Sequence, residues 1–159
     1  MFYRILIICA ILGAVALGCD EDRAPVDSAP VQEFELRFLS GWIRANLMPV
    51  APPDPISAKA IIEASNLTSD TLSQVSIPWA DVILADPNRT LGRIEFATSW
   101  SGLLAAHETD TVAVNKVDAG TKLFDPPCGQ KVLFKFMGQL DREDVSVLYS
   151  DTLTFECFE

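Results

Sequence analysis

Short segments in which apolar and polar residues alternate recur along most of the chain. In the first of these segments, the apolar residues Phe34, Leu36 and Phe38 are separated by charged ones. A period of two is typical of a strand that buries one face against a core. Trp42, Ile43 and Leu47 follow Gly41 without this alternation, so a helix over residues 34–48 competes with a strand for this part of the chain.

Four later segments show the same period, and polar residues separate most of them. The pattern predicts strands over residues 56–65, 72–84, 92–100 and 110–117. Residues 101–109 are compatible with a loop or with one helical turn. The chain is therefore expected to be rich in strands and poor in helix.

The end of the chain predicts a β-hairpin. Two β-rich segments, Lys131–Met137 and Val145–Phe158, flank a charged tip at residues 141–144. One register brings large apolar residues opposite each other, and such pairs stabilise a sheet. This register pairs Val132 with Leu153, Phe136 with Tyr149, and Cys128 with Cys157.

Two positions predict irregular strands. Pro78 lies inside the predicted strand 72–84, and because proline cannot donate to a ladder, we expect a bulge or an edge position there. In the hairpin, the register places Asp151 opposite Phe134, which is an unfavourable pair. We therefore expect a second bulge near Ser150.

About seven short strands separated by polar turns predict an all-β fold, an antiparallel β-sandwich over residues 34–159. Trp79 on the third strand and the segment 64–70 before it resemble the immunoglobulin-like and fibronectin type III-like superfamily. The cysteines depart from the antibody pattern, because they would join the last two strands rather than the two sheets. The resemblance implies a fold and carries over no functional residues.

The N-terminal residues have the layout of a cleavable export signal. Arg4 precedes an apolar run from Ile5 to Leu17, and small residues then lead to Cys19. The segment Ala16-Leu17-Gly18-Cys19 resembles the lipobox of bacterial lipoproteins, which implies cleavage before Cys19 and acyl chains attached to that residue. A plain secretory signal competes with this interpretation. A spanning helix is disfavoured, because it needs about 20 apolar residues.

These features divide the chain into a signal peptide at residues 1–18, a lipidated cysteine with a flexible acidic tether at 19–33, and the β-domain at 34–159.

The formal charge of −10 includes Arg4, so the chain without residues 1–18 carries −11. Such an acidic chain is unsuited to nucleic acid and to electrostatic docking on anionic lipid.

Cysteine usage agrees with an exported protein. Cys9 would leave with the signal and Cys19 would carry lipid, so Cys128 and Cys157 remain as a pair. In an oxidising compartment such a pair favours a disulfide, with two buried free thiols as the alternative.

No constellation of residues predicts catalysis, a metal site or a cofactor. His107 is the single histidine of the chain, so a histidine-based metal cluster cannot form and any serine triad would depend on it. The acidic residues 20–22 lack the spacing of a calcium loop, and residues 141–144 suit a solvated turn. Asn66 and Asn88 each begin a tripeptide that matches the acceptor pattern for N-glycosylation. Such short patterns often occur by chance.

The three tryptophans leave two interpretations open. Trp42, Trp79 and Trp100 would either pack in the core or line an apolar or carbohydrate-binding surface. Their positions within predicted strands and loops do not separate the two, since one face of each strand is buried and the other is exposed.

The leading hypothesis is a non-enzymatic binding or assembly module, anchored to the inner or outer membrane of a bacterial envelope through lipid on Cys19. Its expected partners are the membrane and another envelope protein, with no nucleic acid. The first alternative is a periplasmic inhibitor or chaperone-like module that binds peptide at a sheet edge. An enzyme that uses His107 in a pocket is the third hypothesis.

Overall fold

A computed structural model describes residues 33–48, 55–117 and 124–158 of the 159-residue chain. The predicted signal peptide, the lipidation at Cys19 and nearly all of the predicted tether lie outside these residues. The predictions for residues 1–32 therefore stay predictions.

Eight strands make up the described fold. They are β1 (Phe34–Asn46), β2 (Ile56–Asn66), β3 (Ser76–Leu84), β4 (Arg89–Ala97), β5 (Thr109–Lys116), β6 (Lys131–Leu140), β7 (Glu143–Tyr149) and β8 (Leu153–Phe158). The described residues contain no helix, so none of them forms a helix able to cross a membrane. The all-β prediction is confirmed, and the helix that competed for residues 34–48 is wrong.

The strands form a single sheet that closes on itself. Their order is β3-β4-β5-β2-β1-β8-β6, and β6 pairs with β3, which closes a seven-stranded barrel. β7 lies beside β6 outside this ring. All the strand pairs are antiparallel except β1–β8, which is parallel. The closure and the parallel pair differ from the two separate antiparallel sheets that the pattern predicted.

The core is built from the inward faces of these strands. Phenylalanines form its largest members, and Phe134, Phe136 and Phe155 have no exposed surface. The ring centroids of Phe134 and Phe136 lie 5.3 Å apart, and Phe96 packs against both. Burial of each large apolar side chain contributes about 1.5–3 kcal/mol, so this cluster is a main source of stability.

A bulge in β1 changes which side chains face the core. Before the register shift between Phe38 and Ser40 the buried side chains have even numbers, and after it they have odd numbers. Because side chains alternate with a period of two, one extra residue moves every later side chain to the opposite face. Trp42 and Arg44 therefore lie on the outer face of the sheet.

Gly41 follows the bulge at a place where the backbones approach closely. A Cβ atom at this position would lie 2.8 Å from the carbonyl oxygen of Lys59 and 3.1 Å from the ring of Phe38. A larger residue would therefore push β1 away from β2, and glycine is required by space at this position.

The predicted disulfide and part of the predicted hairpin register are confirmed. Cys128 and Cys157 are bonded, with their Cα atoms 5.5 Å apart, and Val132 lies opposite Leu153. The predicted pairing of Phe136 with Tyr149 is wrong, because Leu148 lies opposite Phe136.

An irregularity between β7 and β8 causes this one-residue difference. The Ser150 backbone N–H donates to the Phe134 carbonyl at 2.9 Å, and the Ser150 hydroxyl accepts from the Phe134 N–H at 2.9 Å. The serine side chain thus replaces a backbone acceptor of the ladder, and the strand shifts by one residue. The prediction of an irregularity near Ser150 is confirmed.

The other predicted strands are confirmed with shifted ends. β3 begins at Ser76 rather than at residue 72, and its ladder with β6 shifts register between Ser76 and Trp79, where Pro78 predicted a bulge. β4 covers Arg89–Ala97 instead of 92–100. Residues 101–108 form no strand beyond a bridge between Leu72 and Leu104.

Candidate functional site

Two separate regions on the outside of the closed sheet each carry an arginine stacked on a tryptophan. In the first, which we name the Arg93 stack, the Arg93 guanidinium carbon lies 3.5 Å from the ring centroid of Trp79. Asp81 lies directly opposite Arg93 in the β3–β4 ladder, and its Oδ1 accepts from Arg93 Nε at 3.0 Å. The face of this guanidinium therefore contacts an aromatic ring, while its edge binds a carboxylate of the same chain.

In the second, the Arg44 stack, the guanidinium carbon lies 3.9 Å from the centroid of Trp42 and 5.9 Å from that of Phe158. Ser57 is the residue opposite Arg44 in the β1–β2 ladder. Glu156 lies opposite Arg44 in the parallel β1–β8 ladder, but no carboxylate of the described residues is within 4 Å of the guanidinium. The edge of this guanidinium is thus open among the described residues.

Arg37 gives a second example of an arginine paired across a ladder. Glu63 lies opposite Arg37, and its two oxygens accept from Arg37 Nε at 2.9 Å and from Nη2 at 3.0 Å. The hydrogen bonds and the charge of Glu63 raise the pKa of Arg37 above its ordinary value. Arg37 and Arg93 therefore each have a carboxylate at the antiparallel position where Arg44 has Ser57.

A shallow cavity of about 300 Å³ opens beside the Arg44 stack. Among the residues that the structure describes, its lining combines a cation, neutral polar side chains and apolar ones, namely Arg44, Asn46, Ser57, Met48 and Phe158. This volume is at the lower end of the range for ligand pockets. We name this cavity the Arg44 pocket.

Hydrogen bonds at the ends of β1 and β8 shape the wall of this pocket. The Leu47 N–H donates to the Phe158 carbonyl at 2.8 Å, which holds the two strand ends together. The Asn46 side-chain oxygen accepts from the Met48 N–H at 3.1 Å. The amide nitrogen of Asn46 remains a donor beside Arg44.

A third feature is an exposed apolar row, which we name the β7 face. Val145, Val147 and Tyr149 are 46%, 50% and 55% exposed on β7. Met137 on β6 lies opposite Val147, and Trp79 on β3 lies opposite Met137. The apolar surface thus runs across three strands and ends at the Arg93 stack.

The residues singled out from the sequence are not gathered into one site. Trp42 and Trp79 are half-buried on outer faces, whereas Trp100 packs against the core and its Nε1 donates to Asp110 at 2.9 Å. His107 lies exposed in a turn with a φ of 57°, and its backbone N–H donates to the Thr68 carbonyl. Trp100 is therefore a core residue, whereas Trp42 and Trp79 lie on the outside of the sheet, each beneath an arginine.

Asn66 is a buried structural residue rather than an accessible acceptor. Its side-chain nitrogen donates to the carbonyl oxygens of Asp70, Leu104 and Ala105, at 2.7, 3.2 and 2.9 Å. The same nitrogen would have to carry a glycan, so the folded chain offers no access there. Asn88 is exposed in the turn between β3 and β4.

Sequence reasoning missed Arg44, Ser57, Asp81 and Arg93. A signal exists for two of them, because Arg44 follows Trp42 by two residues and Asp81 follows Trp79 by two, whereas strand pairing places Ser57 and Arg93. Side chains two apart on a strand share a face, so each pattern places a charge beside an indole ring.

The described residues contain no group of three histidine, cysteine or acidic side chains that could hold a metal ion. The chain matches no protein-family model, and no curated protein sequence is significantly similar to it. The proposed function therefore depends on the geometry of the outer surface of the sheet.

Proposed function

We propose that the chain is a membrane-anchored envelope lipoprotein that acts as a non-enzymatic binding or assembly module. The observation that carries the binding role is the β7 face, where three large apolar side chains are about half exposed on one strand. Single exposed apolar residues are common, but a contiguous row of them is typical of an interaction surface.

We expect the partner that binds the β7 face to be another envelope protein. The row ends at the Arg93 stack and is flanked by Lys135, which lies opposite both Asp81 and Tyr149. An apolar centre with charged residues at its margin has the composition of a protein–protein interface. The acidic chain makes nucleic acid an unsuitable partner.

The immunoglobulin-like assignment is part of the proposal. It is supported by the ladders, which are long within two groups of strands, β1-β2-β5 and β4-β3-β6-β7. The β4–β5 and β6–β8 ladders that complete the ring comprise two residue pairs each. Two packed groups joined by short ladders correspond to a sandwich with closed corners.

Binding of a peptide at a sheet edge is the second candidate function. It is favoured by β7, which among the described strands forms a ladder with β6 alone. Unpaired backbone groups on such an edge can pair with an extended segment of another chain.

The anchor is tested by expressing the whole chain and the Cys19→Ser variant in a bacterium and labelling with palmitate. We expect label and membrane association in the parent chain, and loss of both in the variant. Membrane association without label would contradict lipidation at Cys19.

The binding surface is tested by placing a photo-crosslinking amino acid at Val147 in the living cell. The matched control is Thr111, an exposed outer residue of β5. We expect a discrete crosslinked envelope protein from position 147 that Tyr149→Arg abolishes. Equal crosslinking from both positions would contradict a specific surface.

A further inference from the structure

We infer that the Arg44 pocket binds the C-terminal carboxylate of a peptide whose last residue is apolar. This inference is independent of the anchor and of the β7 face. It rests on the comparison between the two arginine–tryptophan stacks and on the lining of the pocket.

The Arg44 guanidinium is already held in a geometry that suits binding. Its face is held by Trp42 at 3.9 Å, with Phe158 at 5.9 Å on a second element. Stacking occupies the face of a guanidinium and leaves the N–H groups in its plane for a carboxylate. Part of the side-chain entropy that binding costs has therefore been lost on folding.

Elsewhere in the same chain, an arginine–tryptophan stack already holds a carboxylate. In the Arg93 stack, Asp81 occupies the cross-strand position and binds the guanidinium edge at 3.0 Å. In the Arg44 stack, the smaller Ser57 occupies the equivalent antiparallel position, and the pocket lies beside it. A carboxylate from another molecule can thus take the place that Asp81 fills in the first stack.

The lining of the Arg44 pocket indicates which kind of molecule supplies the carboxylate. The pocket sets apolar Met48 and Phe158 beside Arg44, so its ligand must carry a negative charge and an apolar group close together. The last residue of a peptide carries both within one residue, and a pocket of about 300 Å³ suits a group of that size. Ser57 and Asn46 add neutral polar groups that can bind the second carboxylate oxygen or the peptide backbone.

The test uses the whole chain purified in detergent and an acetylated tripeptide that ends in leucine, with either a free or an amidated C-terminus. Binding is followed by isothermal titration. We expect the free acid to bind at least about tenfold more tightly than the amide, because a charge-assisted bidentate pair is lost. Equal binding of the two peptides, or no binding of the free acid at millimolar concentration, would overturn the inference.

Variants assign the binding to the pocket. Ser57→Asp supplies an internal carboxylate and should abolish binding of the free acid, as should Arg44→Gln. Arg93→Gln is the matched control in the other stack and should leave the affinity unchanged. If Arg93→Gln weakens binding as much as Arg44→Gln, the Arg44 pocket is not the site.

A third peptide separates a terminal carboxylate from an acidic side chain. It carries an internal aspartate and an amidated C-terminus. Binding as tight as that of the free acid would contradict the assignment to a peptide terminus.

Discussion

Both outer stacks set an arginine on a tryptophan, and they differ in the residue that lies opposite the arginine in its antiparallel ladder. Arg93 on Trp79 is completed by Asp81, whereas Arg44 on Trp42 has Ser57 at the equivalent cross-strand position. The difference shows that a stacked arginine is a structural element where the chain supplies a carboxylate. Where the chain supplies a serine instead, the guanidinium is available to a ligand.

The two stacks also differ in how their strands are held. The Arg93 stack lies within the β3–β4 hairpin, whose ladder joins neighbouring strands of the chain. The Arg44 stack depends on the end of β8, which pairs with β1 over four residues and is tied by the Cys128–Cys157 disulfide. A substitution close to one stack should therefore affect that stack more strongly than the other.

The largest effect is expected from removal of the disulfide by Cys128→Ser with Cys157→Ser. The bond spans 29 residues, and by loop-closure entropy its loss lowers the free energy of unfolding by about 3–4 kcal/mol. Phe158 follows Cys157, so the Arg44 stack should loosen while the Arg93 stack stays formed. Urea unfolding measures the first effect, and tryptophan fluorescence in Trp79→Phe and Trp42→Phe backgrounds measures the second.

Chemical reduction of the parent chain is the control for the serine substitutions and should give the same loss of stability. Equal changes at Trp42 and Trp79 would contradict the expected difference between the stacks.

A smaller effect is expected from Gly41→Val in β1. A Cβ atom there would lie 2.8 Å from the Lys59 carbonyl oxygen, and overpacking of this kind costs about 1–3 kcal/mol. The strain falls three residues before Arg44, so binding of the free-acid peptide should weaken together with stability. Thermal unfolding and titration of the peptide measure the two effects.

Ser40→Ala, at the exposed neighbouring position, is the matched control and should change neither quantity. Unaltered stability of the Gly41 variant would show that β1 can move away from β2 without cost.

The smallest effect is expected from exchanging the residues that distinguish the stacks. Asp81→Ser removes an ion pair whose arginine is 54% exposed, so the loss of stability should be about 0.2–1 kcal/mol. Ser57→Asp supplies the missing carboxylate at Arg44 and should stabilise by a similar amount. Chemical denaturation at low salt detects both changes.

Double-mutant cycles with Arg93→Gln and Arg44→Gln isolate the two ion pairs from other consequences of these substitutions. A coupling at Arg44 in the Ser57→Asp background that is absent from the parent would support the comparison. Stabilisation that persists with Arg44→Gln would contradict it.

Local patterns predicted the parts of the fold that depend on neighbouring residues. The alternation from Phe34 identified β1, and the matching of apolar residues around the tip at 141–144 identified the disulfide and the Val132–Leu153 pair. Pro78 and the poor pairing of Asp151 located two irregularities, because each breaks a rule of strand pairing that holds for any sheet.

The candidate site was beyond such patterns. Trp-x-Arg and Trp-x-Asp place a charge beside an indole on one face, but they do not say which face is outward. The presence of Ser57 opposite Arg44, and of Phe158 beside it, depends on the ladders of β1 with β2 and β8. These partners lie far apart in the chain, and their register is set by the whole sheet.

The sequence by itself determined that the chain forms strands, where most of them lie, and that Cys128 and Cys157 pair, because period-two alternation and hairpin matching are local. Only the tertiary structure decided that the sheet closes and that Trp42 and Arg44 face outward. The physical reason is the bulge after Phe38. One extra residue reverses every later side chain, and its place is set by packing against β2 and the core rather than by the residues of β1 alone.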